Sequence, residues 1–365
     1  MKLLSVTLPY LLLVTFYTAE LGDFGTDKLN AIVSSPYNGV AVPLISAYDT
    51  GKHTAEDFAP SVKRLKEGAR KDVWPWVFFN RFIGSKEGAR SLSPDSGNAY
   101  FRAIKGMDIY NKAGALGDFY GIWKTALAIA KETGSPGIVV DPEAYNNYDM
   151  YKVSYISDET GVPKKEVKKR LAEIGRELAR IADETYPDAT LWFLFTGLGT
   201  PLRTLNPLAD KEYRSVTYIV EGMLGYAKEK GSEFKLISGG MLSLGYCSES
   251  LGDLKVKILS RRERFEKHLS SFPNLRLGGT IAPWNDVRLK NGDYFTIGEC
   301  RKSKLKDLED FDPLVKYLLE SYEYVWIYAA SGAGYNPYDR EITLPYNNSI
   351  SEAVNITKNR QSPNY

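Results

Sequence analysis

Along most of the chain, short apolar runs of strand length alternate with longer segments whose apolar residues recur every three or four positions. The runs Gly39 to Ser46, Val73 to Asn80, Phe101 to Lys105, Gly137 to Asp141, Thr190 to Phe195, Phe234 to Ser238, Leu275 to Ile281 and Tyr324 to Ala329 read as strands. Lys165 to Glu184 is the clearest helix. Its residues Val167, Leu171, Ile174, Leu178 and Ile181 follow steps of four and three and form one apolar stripe, while Lys168, Lys169, Arg170, Glu173 and Arg180 face solvent. Val216 to Lys230, Leu254 to Leu269 and Asp310 to Glu320 read as further helices. Thr54 and Asp57 have the spacing of a capping box at the start of another. Arg81 to Tyr100, rich in Gly, Ser and Pro, reads as a long loop.

Strands that alternate with helices imply a parallel sheet covered by helices. Eight such units predict a (β/α)8 TIM barrel, as a single α/β domain over residues 20–340, with a polar, loosely held tail at 341–365. An open doubly wound sheet is the alternative topology, but no Gly-rich phosphate-binding turn follows the first of these strands. Ahead of them, Lys2, the apolar run Leu8 to Tyr17 and the small residues Thr18 and Ala19 have the layout of a secretory signal peptide over residues 1–19. That layout predicts a secreted or periplasmic protein. The run is shorter than the ~20 residues that span a bilayer, so no stable membrane span is expected. Cys247 and Cys300 are the only thiols, and the sequence leaves open whether they pair.

Composition narrows the chemistry. The chain of 365 residues has 47 Lys and Arg against 45 Asp and Glu, so no excess of positive charge is present to neutralise a phosphate backbone, and no nucleic-acid partner is expected. With only His53 and His268, a three-imidazole zinc site is out of reach, and no cofactor motif or metal site is predicted. His53 has no nucleophile elbow to accompany it, and His268 reads as a helix-surface or packing residue. The chain is rich instead in aromatics, with 25 Tyr, 15 Phe and 6 Trp.

The stretch that carries the most chemical information is Gly137-Ile138-Val139-Val140-Asp141-Pro142-Glu143-Ala144-Tyr145-Asn146. Side chains alternate along a strand, so Val139, Asp141 and Glu143 share one side. Pro142 cannot donate to a central ladder, which ends the strand near Asp141 and puts both acids at its C-terminal end, where barrel enzymes build their sites. Two carboxylates this close do not ionise as readily as one, leaving a protonated group beside a charged one, the pairing that glycoside hydrolysis uses. Asp141 or Glu143 could instead cap the following loop, or join Asn146, Asn147 and Asp149 around a cation, although the calcium-loop spacing is missing. Other strand ends offer substrate-binding companions in Asn80, Asp108, Tyr145, Trp284, Asp286, Trp326 and Tyr328, whose aromatic members suit the apolar faces of sugar rings. Ser238-Gly239-Gly240 signals close approach of the backbone to a neighbouring group.

With its eight units, the Asp141-Pro142-Glu143 motif after the fourth strand and the strand Tyr324-Val325-Trp326-Ile327-Tyr328, the chain resembles the barrel-type glycoside hydrolases. The opening strand Asn38-Gly39-Val40-Ala41-Val42 is similar to that of several related uncharacterised families. The resemblance implies that Glu143 is the general acid/base and that Asp141 positions a substrate group or assists the intermediate. The longer acidic signature of chitinase-like members is absent, since only Val139 and Val140 precede Asp141. The sequence thus predicts an exported glycosidase acting on a polysaccharide or glycoconjugate without a cofactor. A non-catalytic carbohydrate-binding barrel and a metal-dependent hydrolase remain as alternatives.

Overall fold

The computed structural model describes residues 9–16, 26–44, 55–69, 71–79, 115–142, 152–199, 214–244, 248, 250–283, 306–330 and 340–361. Eight parallel strands close into a ring in sequence order: β1 Tyr10–Phe16, β2 Gly39–Pro43, β3 Asp72–Phe78, β4 Gly137–Asp141, β5 Thr190–Phe193, β6 Lys235–Ser238, β7 Leu275–Ile281 and β8 Tyr324–Ala330. The helices around it include α1 Thr26–Val33, α2 Ala55–Ala69, α3 Ala115–Glu132, α4 Val153–Thr160, α5 Lys164–Thr185 and α6 Arg214–Lys230. After β6 come α7 Met241–Leu244, α8 Leu251–Ser271, α9 Leu308–Ser321 and α10 Arg340–Gln361. This is the single-domain (β/α)8 barrel that the alternation of elements predicts.

The count of eight is reached by a different route. The apolar run read as the core of a leader forms β1, which pairs with β2 through Leu12 and Gly39 and with β8 through seven residues from Tyr10 to Phe16. Leu11, Leu12, Leu13 and Val14 are at most 1 % exposed. A leader core and a buried parallel strand are both continuous apolar runs, so composition does not separate them. Phe101 to Lys105, expected as the third strand, lies outside the described residues, as does the loop expected at Arg81 to Tyr100. The tail also differs from expectation. Arg340–Gln361 is a helix packed on α9, with Tyr346, Ile350, Ala353 and Thr357 buried at helical spacing amid Asn and Ser that mask the stripe.

The ladder register fixes what points inward. Val14 pairs with Ala41 and Ala41 with Trp74; two residues on, Trp76, Val139, Trp192, Ile237 and Arg276 are successive partners; two further, Gly278 pairs with Tyr324 and Tyr324 with Tyr10. The path climbs four residues yet returns four below its start, a stagger of eight residues over eight strands, the shear of a TIM barrel. Residues at one height therefore advance by one position per strand, and inward side chains stack in layers from alternate strands. Leu12, Trp74, Trp192 and Gly278 form one layer, Ala41, Val139, Gly239 and Trp326 the next, then Val14, Trp76, Leu194 and Thr280, and finally Pro43, Asp141 and Tyr328 towards the C-terminal mouth.

Ring contacts agree with this stacking. Trp192 meets Trp74 at 5.6 Å, Tyr324 at 5.5 Å and Tyr10 at 6.3 Å, so residues of four different strands converge inside the barrel. Glycine makes room for them: a Cβ on Gly39 would lie 2.6 Å from Tyr10 Oη and 2.8 Å from Trp74 Nε1. At the N-terminal end Tyr10 donates to Asp72 Oδ2 (2.6 Å) and accepts from Trp74 Nε1 (2.9 Å), and Leu11 N donates to Asn38 Oδ1 (2.7 Å). Burial, then the bond to Asp72, pushes the Tyr10 phenol well above its ordinary range. These bonds tie β1 to its neighbours, so a chain lacking residues 1–19 should give no cooperative thermal transition where the full-length chain does, as followed by near-UV circular dichroism; an unchanged transition would refute the placement of β1.

The outer layer is conventional. Val167, Leu171, Ile174, Leu178 and Ile181 of α5 are buried as the stripe requires, and a Cβ on Gly175 would collide with Ile219 O of α6, so the two helices pack backbone to backbone. His268, in the last turn of α8, is half-buried edge-on to Phe265 at 6.1 Å. Burial, followed by the charge of Lys267, lowers its pKa below the ordinary 6.5. The fold thus favours neutral imidazole: this contribution is complete above the unfolded-state value and is lost as pH falls through the folded one. Denaturation midpoints measured from pH 7.5 to 5 should fall with pH in the wild type and less steeply in His268→Gln.

Candidate active site at the C-terminal mouth

Asp141 is the last residue of β4, in register with Phe78 of β3, and is 1 % exposed. Val139, two residues earlier, pairs with the inward Trp192, so alternation turns the Asp141 carboxylate to the inside. Trp76 and Phe78 stack beside it on β3 at 5.0 Å, giving the acid an aromatic flank. Pro142, also buried, ends the strand without an amide hydrogen to pair, while Leu194 N donates to Val140 O and closes the ladder on the other side. Asp141 is therefore fixed by backbone on two sides, at the end of the barrel where the strands deliver their last side chains.

Tyr328 belongs to the same layer, on the opposite strand β8. It is half-buried and stands edge-on to Trp326 at 6.0 Å. Trp326 itself is a packing residue: it is fully buried two layers deeper and donates Nε1 to Gly239 O at 3.1 Å. Of the residues expected around the site, Asp141 and Tyr328 are thus brought together in the layer at the C-terminal mouth, and Trp326 is not. Glu143, Tyr145, Asn80, Asp108, Trp284 and Asp286 lie outside the described residues, as do Cys247 and Cys300. Among the described residues no cluster of three metal-ligating side chains occurs, and no helix is long and apolar enough to cross a membrane.

The close approach expected at Ser238-Gly239-Gly240 is present, and two residues of this region, Arg261 and Thr280, were not anticipated from sequence. The Ser238-Gly239-Gly240 turn is held from both sides. Inside, a Cβ on Gly239 would lie 2.9 Å from Trp326 Nε1; outside, Gly240, at φ +91°, lies against the Arg261 guanidinium of α8. Arg261 is fully buried and donates to Gly278 O, Ser238 O and, at 3.4 Å, Ser238 Oγ, with Phe265 and Tyr322 rings each 5.4 Å from its guanidinium carbon. Ser238 Oγ in turn meets Thr196 Oγ1 at 3.0 Å, so one side chain links the end of β6 to the middle of β7 and, through Ser238, to the segment that follows β5. Its signal was present in the sequence: Arg261 takes a place in the buried series Leu254, Ile258, Arg261, Phe265. The second residue is Thr280 of β7, an inward hydroxyl that alternation from Gly278 would have found.

No protein-family model matches the chain, and no curated protein matches it. Solved structures do. A GH5-4 broad-specificity endoglucanase from an uncultured bacterium superposes with a TM-score of 0.52 at 9% identity, covering 96% of this chain and 94% of that one. An endo-β-mannanase/endo-β-glucanase of Prevotella bryantii gives 0.51 at 10% identity, covering 95% of this chain, which spans only 48% of that longer one. A sugar phosphate isomerase/epimerase of Parabacteroides distasonis gives 0.41 at 14% identity. Identities this low establish a shared barrel fold and nothing finer.

The clamped turn makes a specific prediction. A methyl group at Gly239 would sit 2.7 Å from Phe193 O as well as against Trp326, so Gly239→Ala should cost roughly 1–3 kcal/mol in urea titrations. Gly225→Ala in α6, where the added Cβ meets only Arg176 Nη1 at 4.0 Å, should instead be neutral or stabilising by up to about 1 kcal/mol.

Proposed function

We propose that this protein is a glycoside hydrolase acting on a polysaccharide or glycoconjugate, with Glu143 as general acid/base and Asp141 as the carboxylate that positions substrate or stabilises developing positive charge. The observation that carries this reading is the placement of Asp141: a buried, inward carboxylate on the last residue of β4 of a closed eight-stranded barrel. That end of the barrel is where catalytic side chains of this fold stand. The likeness in fold to the endo-β-mannanase/endo-β-glucanase and the endoglucanase lends support, since both of those proteins cleave glycans.

The chemistry follows from the position. A carboxylate screened from bulk water interacts more strongly with charge that develops on a sugar ring than an exposed one would. Asp141 is held by the β3 and β5 ladders, so it does not reorganise as that charge appears. Glu143, two residues on, would protonate the departing glycosidic oxygen, and Tyr328, across the mouth in the same layer, would offer its ring edge and hydroxyl to the sugar. Cleavage after Ala19 would remove β1, so the intact N-terminal strand belongs to the working enzyme under this proposal.

The test uses the full-length protein and the variants Asp141→Asn and Glu143→Gln, each close to isosteric, incubated with a panel of polysaccharides while reducing ends are counted. The wild type should release reducing ends, and each variant should lose about a hundredfold or more while keeping its thermal transition. Equal cleavage by all three, or binding without cleavage by the wild type, would overturn the catalytic assignment; the latter outcome would leave a carbohydrate-binding barrel.

A further inference from the structure

Thr280 is 1 % exposed, and its Oγ1 has no hydrogen-bond partner among the described residues. Its direction is fixed independently: a Cβ on neighbouring Gly279 would point at Tyr322 and Leu318 on the helix side, so Thr280 points into the barrel. It stands in register with Trp326, in the layer immediately beneath Asp141 and Tyr328, and shares that layer with Val14, Leu194 and, on the opposite strand, Trp76. Among the described residues the layers below are filled by Trp326, Trp74 and Trp192, which leaves the C-terminal side as the direction from which a ligand group would approach this hydroxyl. On the β6 side, Gly239 one layer lower and Gly240 beside Arg261 bring no side chain to the hydroxyl.

A buried hydroxyl left without a partner costs about 1–3 kcal/mol, and an apolar group of the same shape would be better tolerated there. We propose that Thr280 is a ligand-binding residue that completes its hydrogen bond with a hydroxyl of a bound sugar, on the floor of the site whose rim carries Asp141. The proposal deepens the glycosidase reading and rests on it only in requiring that the mouth receive a carbohydrate. It gives the site a polar point at depth, so the sugar it selects carries a hydroxyl where a deoxy sugar would leave the defect in place.

The test is Thr280→Val, which keeps the shape and removes the hydroxyl. Full-length wild type and variant are compared by thermal unfolding without ligand, and by binding to oligosaccharides found on a glycan array with the wild type. The expected result is an unfolding temperature that is unchanged or raised, with affinity reduced about tenfold. A lower unfolding temperature without ligand would overturn the proposal, because it would mean that the hydroxyl is already satisfied in the free protein. Unchanged affinity, or no oligosaccharide bound by the wild type, would overturn it as well. The glycosidase reading fails separately: binding that is weakened by Thr280→Val, with no hydrolysis by the wild type, sinks catalysis and keeps Thr280.

Discussion

Closure of the ring with a stagger of eight residues is the constraint on which everything else in this molecule depends. Once β1 lies between β2 and β8, the register permits one set of inward residues and one set of layers, and a slip by one position would turn every inward side chain out towards the helices. Asp141 faces the interior because of that stagger, and so does Thr280. The acid owes its place to the first strand of the chain as much as to its own.

Filling such a ring is a problem of volume. Trp74, Trp76, Trp192 and Trp326 are all inward and essentially without solvent contact, and their bulk is accommodated because Gly39, Gly239 and Gly278 present no side chain on the same wall. Large and small residues interlock across layers as they do in other close-packed interiors. The same arrangement explains why tryptophan here is a poor guide to a sugar platform. Trp326 spends its one donor on Gly239 O and its ring on the core, while Tyr328, two layers higher, keeps part of its surface open.

Much of the architecture was legible in the sequence because period and spacing report it directly. The stripe of α5, the seven strands β2 to β8 and the strand end at Asp141-Pro142 are local patterns and were readable as such, whereas Phe101 to Lys105 has no place in the ring. What escaped was whatever depended on partners distant in sequence. A run of Leu and Val at the N-terminus has one composition whether it enters a membrane channel or a barrel, and only the ladder to β8 decides for the barrel. The last helix hid its stripe among Asn and Ser, and the burial of Arg261 follows from the distant backbone carbonyls of Ser238 and Gly278 that it binds. At the site, Asp141 was legible from alternation and proline, whereas the sorting of Trp326 and Tyr328 into core and mouth required the stagger.

The seam between β1 and β8 also bears on how the molecule comes into being. Tyr10 pairs with Tyr324, so the first strand leaves the ribosome long before its second neighbour exists. At roughly 5–20 residues per second, the wait lasts on the order of tens of seconds. Throughout that interval one edge of a largely apolar strand stays unpaired, and contacts this distant in sequence make the final closure slow. The strand that completes the barrel is thus the one most exposed to chaperones, to targeting factors that read apolar N-termini, and to other nascent copies of itself.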